Sequence, residues 1–148
     1  MSAHVLMLSS SRKGSENYLE HALTYLYAHL GEARKLLFVP FAGVSVSWDD
    51  YTAKVADALP DFEVAGLHQQ ADPVAAIQQA QAKGQAIVVG GGNTFNLLHN
   101  LYAQQLTEPL KQAIANGTPY IGWSAGSNIC GRTICTTNDM PVIQPASF

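Results

Sequence analysis

Charge is scarce in this sequence. Asp, Glu, Lys and Arg make up 13% of the 148 residues, about half the ~25% of an average soluble domain. The shortage is uneven. Residues 1–83 carry most of these charges, and residues 84–148 hold only Glu108, Lys111, Arg132 and Asp139. A half this poor in charge is either deeply buried or covered by something else. There is no basic stripe and the formal net charge is −3, so nucleic-acid binding has no electrostatic support. No apolar run approaches the ~20 residues of a membrane span. The opening Met1-Ser2-Ala3-His4 lacks the charged-then-apolar layout of a signal peptide. Cysteine is nearly missing too: Cys130 and Cys135 fit no zinc or C-x-x-C spacing. Two thiols and no export signal point to a reducing cytoplasm.

What is present is material for a core. Apolar residues make up 47% of the chain, which excludes global disorder, and the length suits one domain spanning 1–148. Short apolar runs alternate with helix-period segments. Strands are expected over 4–8, 35–39, 62–67, 86–89 and 119–122. Helices are expected over 18–30, with Leu19, Leu23, Leu26 and Leu30 on one face and Gly31 as cap, and over 49–59, opened by Asp49 or Asp50. Further helices follow the cap Asp72-Pro73, and cover 94–102, 107–115 and 125–131. Strands that are apolar throughout and separated by helices pair in parallel and are covered on both faces. The expected fold is therefore α/β, a three-layer sandwich around a mostly parallel sheet, with ligands at the carboxyl ends of its strands.

Two glycine-rich segments fall at such ends. Gly122-Trp123-Ser124-Ala125-Gly126 matches G-x-S-x-G. A nucleophilic serine on a strand-to-helix turn needs small neighbours, so that the chain can bend sharply and substrate can approach. The following helix aims its amino end at the reaction centre, and the Ala125 N–H can stabilise an oxyanion. The alternative is a tight turn with an idle serine. Gly90-Gly91-Gly92-Asn93-Thr94 is the second segment. It lacks the lysine of a P-loop and the spacing of G-x-G-x-x-G. It reads as a second oxyanion donor, as a phosphate-cradling loop of a non-catalytic binding module, or as a plain turn capped by Asn93 or Thr94.

A serine nucleophile needs a base. All five histidines (His4, His21, His29, His68 and His99) precede Ser124. His68, near the end of a strand, is the one resident candidate. In hydrolases with this elbow an acid and then a histidine usually follow the serine. Here Asp139 follows and no histidine does.

Three segments closely resemble a known family. They are Gly90-Gly91-Gly92-Asn93-Thr94-Phe95-Asn96-Leu97-Leu98, Gly122-Trp123-Ser124-Ala125-Gly126-Ser127-Asn128 and Thr136-Thr137-Asn138-Asp139-Met140-Pro141. The opening Ser9-Ser10-Ser11 and the Val39-Pro40-Phe41-Ala42 segment fit as well. The resemblance is to the serine peptidases of family S51, which includes the α-aspartyl dipeptidases of the peptidase E type and the cyanophycinases. It implies a fold related to class I glutamine amidotransferases, with flavodoxin-like strand order, and hydrolysis of dipeptides with N-terminal aspartate. It implies no metal and no organic cofactor. Ser124 corresponds to the nucleophile, and Gly91 and Ala125 to the oxyanion donors. Asn93, Trp123 and Asp139 correspond to the active-site region. Family members are longer, and their catalytic histidine and its acidic partner come after the part matching residues 144–148. The expectation is that this chain is the amino-terminal two-thirds of such an enzyme and is inactive alone. Arg132, the one arginine after the elbow, is a candidate for holding a substrate carboxylate, with a surface role as the alternative. A cyanophycin-type substrate is the alternative within the family.

Overall fold

A computed structural model describes residues 2–135 and 137–140; Thr136 and residues 141–148, including the 144–148 segment, lie outside the described residues. Five strands form one parallel sheet: β1 (Val5–Leu8), β2 (Lys35–Val39), β3 (Glu63–Gly66), β4 (Ala86–Val89) and β5 (Tyr120–Trp123). Their spatial order is β1-β5-β4-β2-β3. Strands β2 to β5 thus follow the 2-1-3-4 arrangement of a flavodoxin-like sheet. The first strand of the chain takes the remaining edge, beside β5. Its register pairs Leu8 with Trp123, so β1 and β5 end side by side.

The strand residues alternate between two cores, as the period of two demands. Leu37, Val39, Ile87, Val89 and Tyr120 face one side; Leu36, Phe38, Val88, Ile121 and Trp123 face the other. The first side is covered by α3 (Pro73–Ala82), α4 (Thr94–Ala103), α5 (Thr107–Ala115) and the short α6 (Ala125–Asn128). The second is covered by α1 (Leu23–Leu30) and α2 (Trp48–Ala58). The inner strands are covered on both faces, so β4 and β5 are buried throughout and β2 is buried after Lys35, while the edge strands β1 and β3 are more exposed.

Most elements fall within a residue of where the pattern predicts, and three boundaries differ by more. The helix expected over 18–30 begins only at Leu23, after a 3-10 turn at Glu20–Ala22. Leu19 has a left-handed backbone, φ +60°, which brings its side chain to full burial and lets its N–H reach the Ser11 carbonyl at 2.7 Å. The cap of α2 is Ser47, whose Oγ accepts the Asp50 N–H at 3.1 Å, rather than Asp49 or Asp50. Asp49 is engaged elsewhere, with His68 and Gln69. Asp72 caps α3 as its sequence predicts, accepting the Ala75 N–H at 3.0 Å. The last helix covers four residues where seven were expected.

Candidate active site

The chain leaves β5 into the sharpest backbone feature near the sheet's carboxyl edge. Ser124 has φ +53° and ψ −112°, a combination that costs a residue with a side chain on the order of 1–3 kcal/mol. The surroundings hold it there. The Ser124 N–H donates to the Leu8 carbonyl at 3.1 Å. Ser127 Oγ lies within donor range of the carbonyls of both Leu8 (2.7 Å) and Gly122 (2.8 Å). The Tyr120 hydroxyl donates to the Gly126 carbonyl at 2.6 Å. The glycines of G-x-S-x-G are required by close approach. A Cβ on Gly126 would sit 2.1 Å from the Val89 carbonyl oxygen, and one on Gly122 would sit 2.4 Å from that of Gly126.

The loop after β4 runs alongside. Gly91 lies so near that a Cβ on it would meet Ser124 Cβ at 3.0 Å. Its carbonyl accepts the Tyr51 hydroxyl at 3.0 Å, and Tyr51 lies 3.3 Å from the Tyr18 hydroxyl. Burial, with the neighbouring Tyr51, pushes the Tyr18 phenol far up, and burial pushes the Tyr51 phenol up as well. Both therefore stay protonated at neutral pH. Among the described residues the N–H groups of Gly91 and Ala125 donate no hydrogen bond, so both remain available at the elbow. Trp123 is buried behind them, stacked on Phe38 and meeting Tyr18 edge-on.

Tyr18, Tyr51, Gly91, Trp123 and Ser124 line a cleft of about 370 Å³ at the carboxyl ends of four strands, whereas Ala125 is buried next to Ser124 and does not line it. Ser9, Ser10 and Ser11 come from the end of β1, Val44 to Val46 from the loop after β2, Gly91 and Gly92 from β4, and Trp123 and Ser124 from β5. The strand order reverses between β2 and β4, which is where ligands bind in sheets of this type. Lys54 of α2 also lines the cleft.

Several sequence candidates lie elsewhere. His68 is not at the serine: it sits beyond β3, which is three strand spacings from β5, about 14 Å. Its Nε2 lies 2.8 Å from Asp49 Oδ1, so its role is to tie the end of β3 to α2. Hydrogen bonds from Gln69 and then His68 hold the Asp49 carboxyl below its ordinary range. His4 and His29 pack ring to ring at 4.0 Å, by the amino end of β5, with His29 Nε2 at 3.1 Å from the Tyr120 carbonyl. His99 is exposed on α4. None of the five histidines lines the cleft. Arg132 is exposed and does not line it either. Cys130 and Cys135 are free thiols. Among the described residues no group of three or more His, Cys, Asp or Glu could hold a metal ion, and no helix is long and apolar enough to cross a membrane.

Asp139 and Asn93 support the glycine loop rather than line the cleft. Asp139 Oδ2 accepts the Thr94 N–H at 2.8 Å and the Thr94 hydroxyl at 2.6 Å. Burial alone would raise its pKa, but the bonds from Thr94 and Thr137 hold it below the usual value. Asn128 Nδ2 donates to Thr94 Oγ1 at 3.1 Å, which joins α6 to the same network. Asn93 caps α4 by accepting the Asn96 N–H at 3.0 Å, and its own Nδ2 donates to the Met140 carbonyl. The first turn of α4 is thus tied to the Asp139 segment and to the helix behind the elbow. Sequence reading missed Tyr18 and Tyr51, which hold the glycine loop, and gave Ser127 no role although it lies in the quoted motif.

With that geometry in view, residues 5–148 match peptidase family S51. The chain belongs to this family. It is 47% identical over 150 aligned residues to a peptidase E of Shewanella sp. strain W3-18-1, covering all of this chain and 62% of that protein. It is 49% identical to a peptidase E of Shewanella baltica strain OS195, covering 61% of it. The chain therefore spans about three-fifths of the length of these relatives. A solved structure of a peptidase E protein from Listeria monocytogenes EGD-e superimposes with a TM-score of 0.66 at 23% identity, covering 91% of this chain and 65% of that one. That likeness shows the fold. In the S51 chain described here, the elbow and the glycine loop stand side by side at the sheet's carboxyl edge, whereas Asp139 turns to the first turn of α4.

Proposed function

We propose that this chain carries the nucleophile and the oxyanion site of a serine dipeptidase that cleaves dipeptides with N-terminal aspartate. The strained backbone of Ser124 next to Gly91 is the observation that carries the reading. A binding loop has no use for a serine in that conformation, whereas a nucleophile gains exposure from it. Ser124 Oγ attacks the carbonyl of the aspartyl residue. The N–H groups of Gly91 and Ala125 hold the developing oxyanion. The leaving amino acid departs, and water releases aspartate from the acyl-enzyme. The base is a histidine, oriented by an acid, from the further length that the Shewanella relatives have, since none of the five histidines here lines the cleft. Asp139 acts through Thr94 to fix the glycine loop. The free cysteines support a reducing cytoplasm as its location.

The test is aspartate release by the protein as its source cell produces it. Asp-Leu is expected to be cleaved, with Ser124→Ala lowering the rate by about a thousandfold or more. Cleavage of a β-Asp-Arg polymer in preference to Asp-Leu would favour a cyanophycin-type substrate. Saturable phosphate binding with no peptide cleavage would contradict the peptidase reading.

A further inference from the structure

We infer that Lys54 is the residue that recognises a carboxylate of the substrate in the Ser124 cleft. This rests on the dipeptidase reading and assigns its acidic specificity to a side chain in the first half of the chain. Of the residues that line the cleft, Lys54 alone carries a formal charge. It is exposed, and among the described residues it makes no ion pair: the ion pairs there are Lys35–Glu63, Lys111–Glu108 and His68–Asp49. A lysine turned into a concave site with no carboxylate of its own leaves its charge available for a ligand.

The position of that charge is built in. Lys54 lies three residues after Tyr51 on α2, so the two share a helix face. Tyr51 is buried and is fixed by its hydrogen bond to the Gly91 carbonyl and by the Phe38 ring at 5.0 Å. One helix therefore sets both the oxyanion loop and the cation. The ammonium group lies 4.4 Å from the centre of the Tyr18 ring, which steadies a long side chain without neutralising it. Arg12 also approaches Tyr18, at 6.0 Å, but does not line the cleft. The rest of the wall offers the hydroxyls of Ser9, Ser10, Ser11 and Ser45, all able to donate to a carboxylate, and no acidic side chain. An aspartyl dipeptide brings two carboxylates, the side chain of its first residue and the terminus of its second, and either has the chemistry that Lys54 meets.

Binding is measured by amide-shift titration of the 15N-labelled chain, in a Ser124→Ala background so that no turnover occurs. The probes are Asp-Leu, Asn-Leu and Asp-leucinamide. Lys54→Gln is expected to bind Asp-Leu about tenfold more weakly, the loss of one charge-assisted contact. Lys54→Arg should retain most of the affinity. If the wild-type side chain prefers Asp-Leu to Asn-Leu and Lys54→Gln abolishes that preference, Lys54 reads the aspartyl side chain. If wild type does not prefer Asp-Leu to Asn-Leu, yet Lys54→Gln and the amide each weaken binding, Lys54 reads the terminal carboxylate, and the N-terminal aspartate reading fails while this one stands. Preference for Asp-Leu that survives Lys54→Gln overturns the assignment and leaves the dipeptidase reading intact. Equal binding of all three probes by wild type and variant overturns the assignment outright. Lys54 is exposed and unpaired, so an unchanged melting temperature shows that the variant is folded.

Discussion

At Ser124 the backbone is strained. A side chain is held at φ +53° where glycine would rest more easily. Ser124→Gly should therefore raise stability by on the order of 1 kcal/mol, seen as a higher midpoint in urea, while removing the proposed nucleophile. Ser124→Ala keeps the strain and should melt near the wild type. Tyr51 makes a second point at this scale. It is a buried phenol whose hydroxyl bonds the Gly91 carbonyl, so Tyr51→Phe should cost about 1 kcal/mol of stability and free the glycine loop. The loosening would be read as faster hydrogen exchange at the amides of Gly91 and Gly92. None of this support is legible in the sequence, because Tyr18 and Tyr51 stand far from residue 91 in the chain and in no motif with it. The elbow is legible because all of its requirements fall within five consecutive residues.

Among the elements, α6 and α4 decide the geometry of the site. Helix α6 lies so close to β4 that Gly126→Ala would drive a methyl into the Val89 carbonyl. The expected cost is about 3 kcal/mol, measured by chemical denaturation. Two titrating groups tie elements together. Burial, and then the nearby His4, lowers the pKa of His29, which meets the Tyr120 carbonyl. The unfolded chain then takes up a proton that the folded one resists, so stability falls as pH drops below His29's usual value of 6.5. Asp139 titrates lower. Its folded value is below the usual 3.8, so its contribution is present above that value and disappears as pH falls through the folded one. Acid melts should show two stages, with His29→Gln removing the first and Asp139→Asn the second. Boundaries at this scale were the least legible. The side-chain pattern at 18–30 is helical, yet Leu19 takes a left-handed turn with its side chain fully buried, and α1 starts only at Leu23. Ser47 outcompetes two adjacent aspartates as cap because Asp49 is held by His68 and Gln69.

For the whole molecule, strand order turns separate stretches of chain into one cleft. The apolar strand runs establish an α/β sheet without alignment or structure, but they do not say which strands are neighbours. Placing β1 beside β5 brings Ser9 to Ser11 to the elbow, and placing β2 beside β4 brings in the loop with Val44 to Val46. The same order carries His68 three strands away, which ends its candidacy as base. The charge-poor second half is explained in part by the two central strands β4 and β5, buried throughout. Strand β1 is paired on one side only among the described residues, with Met7 59% exposed. The central claim is that Ser124 is a nucleophile directed at aspartyl peptides. The most direct test is to treat the protein, as its source cell produces it, with a diphenyl phosphonate analogue of aspartate and map the adduct by peptide mass. The account predicts one adduct per chain, on Ser124, suppressed by excess Asp-Leu. An unmodified Ser124 in protein that still releases aspartate from Asp-Leu would contradict it.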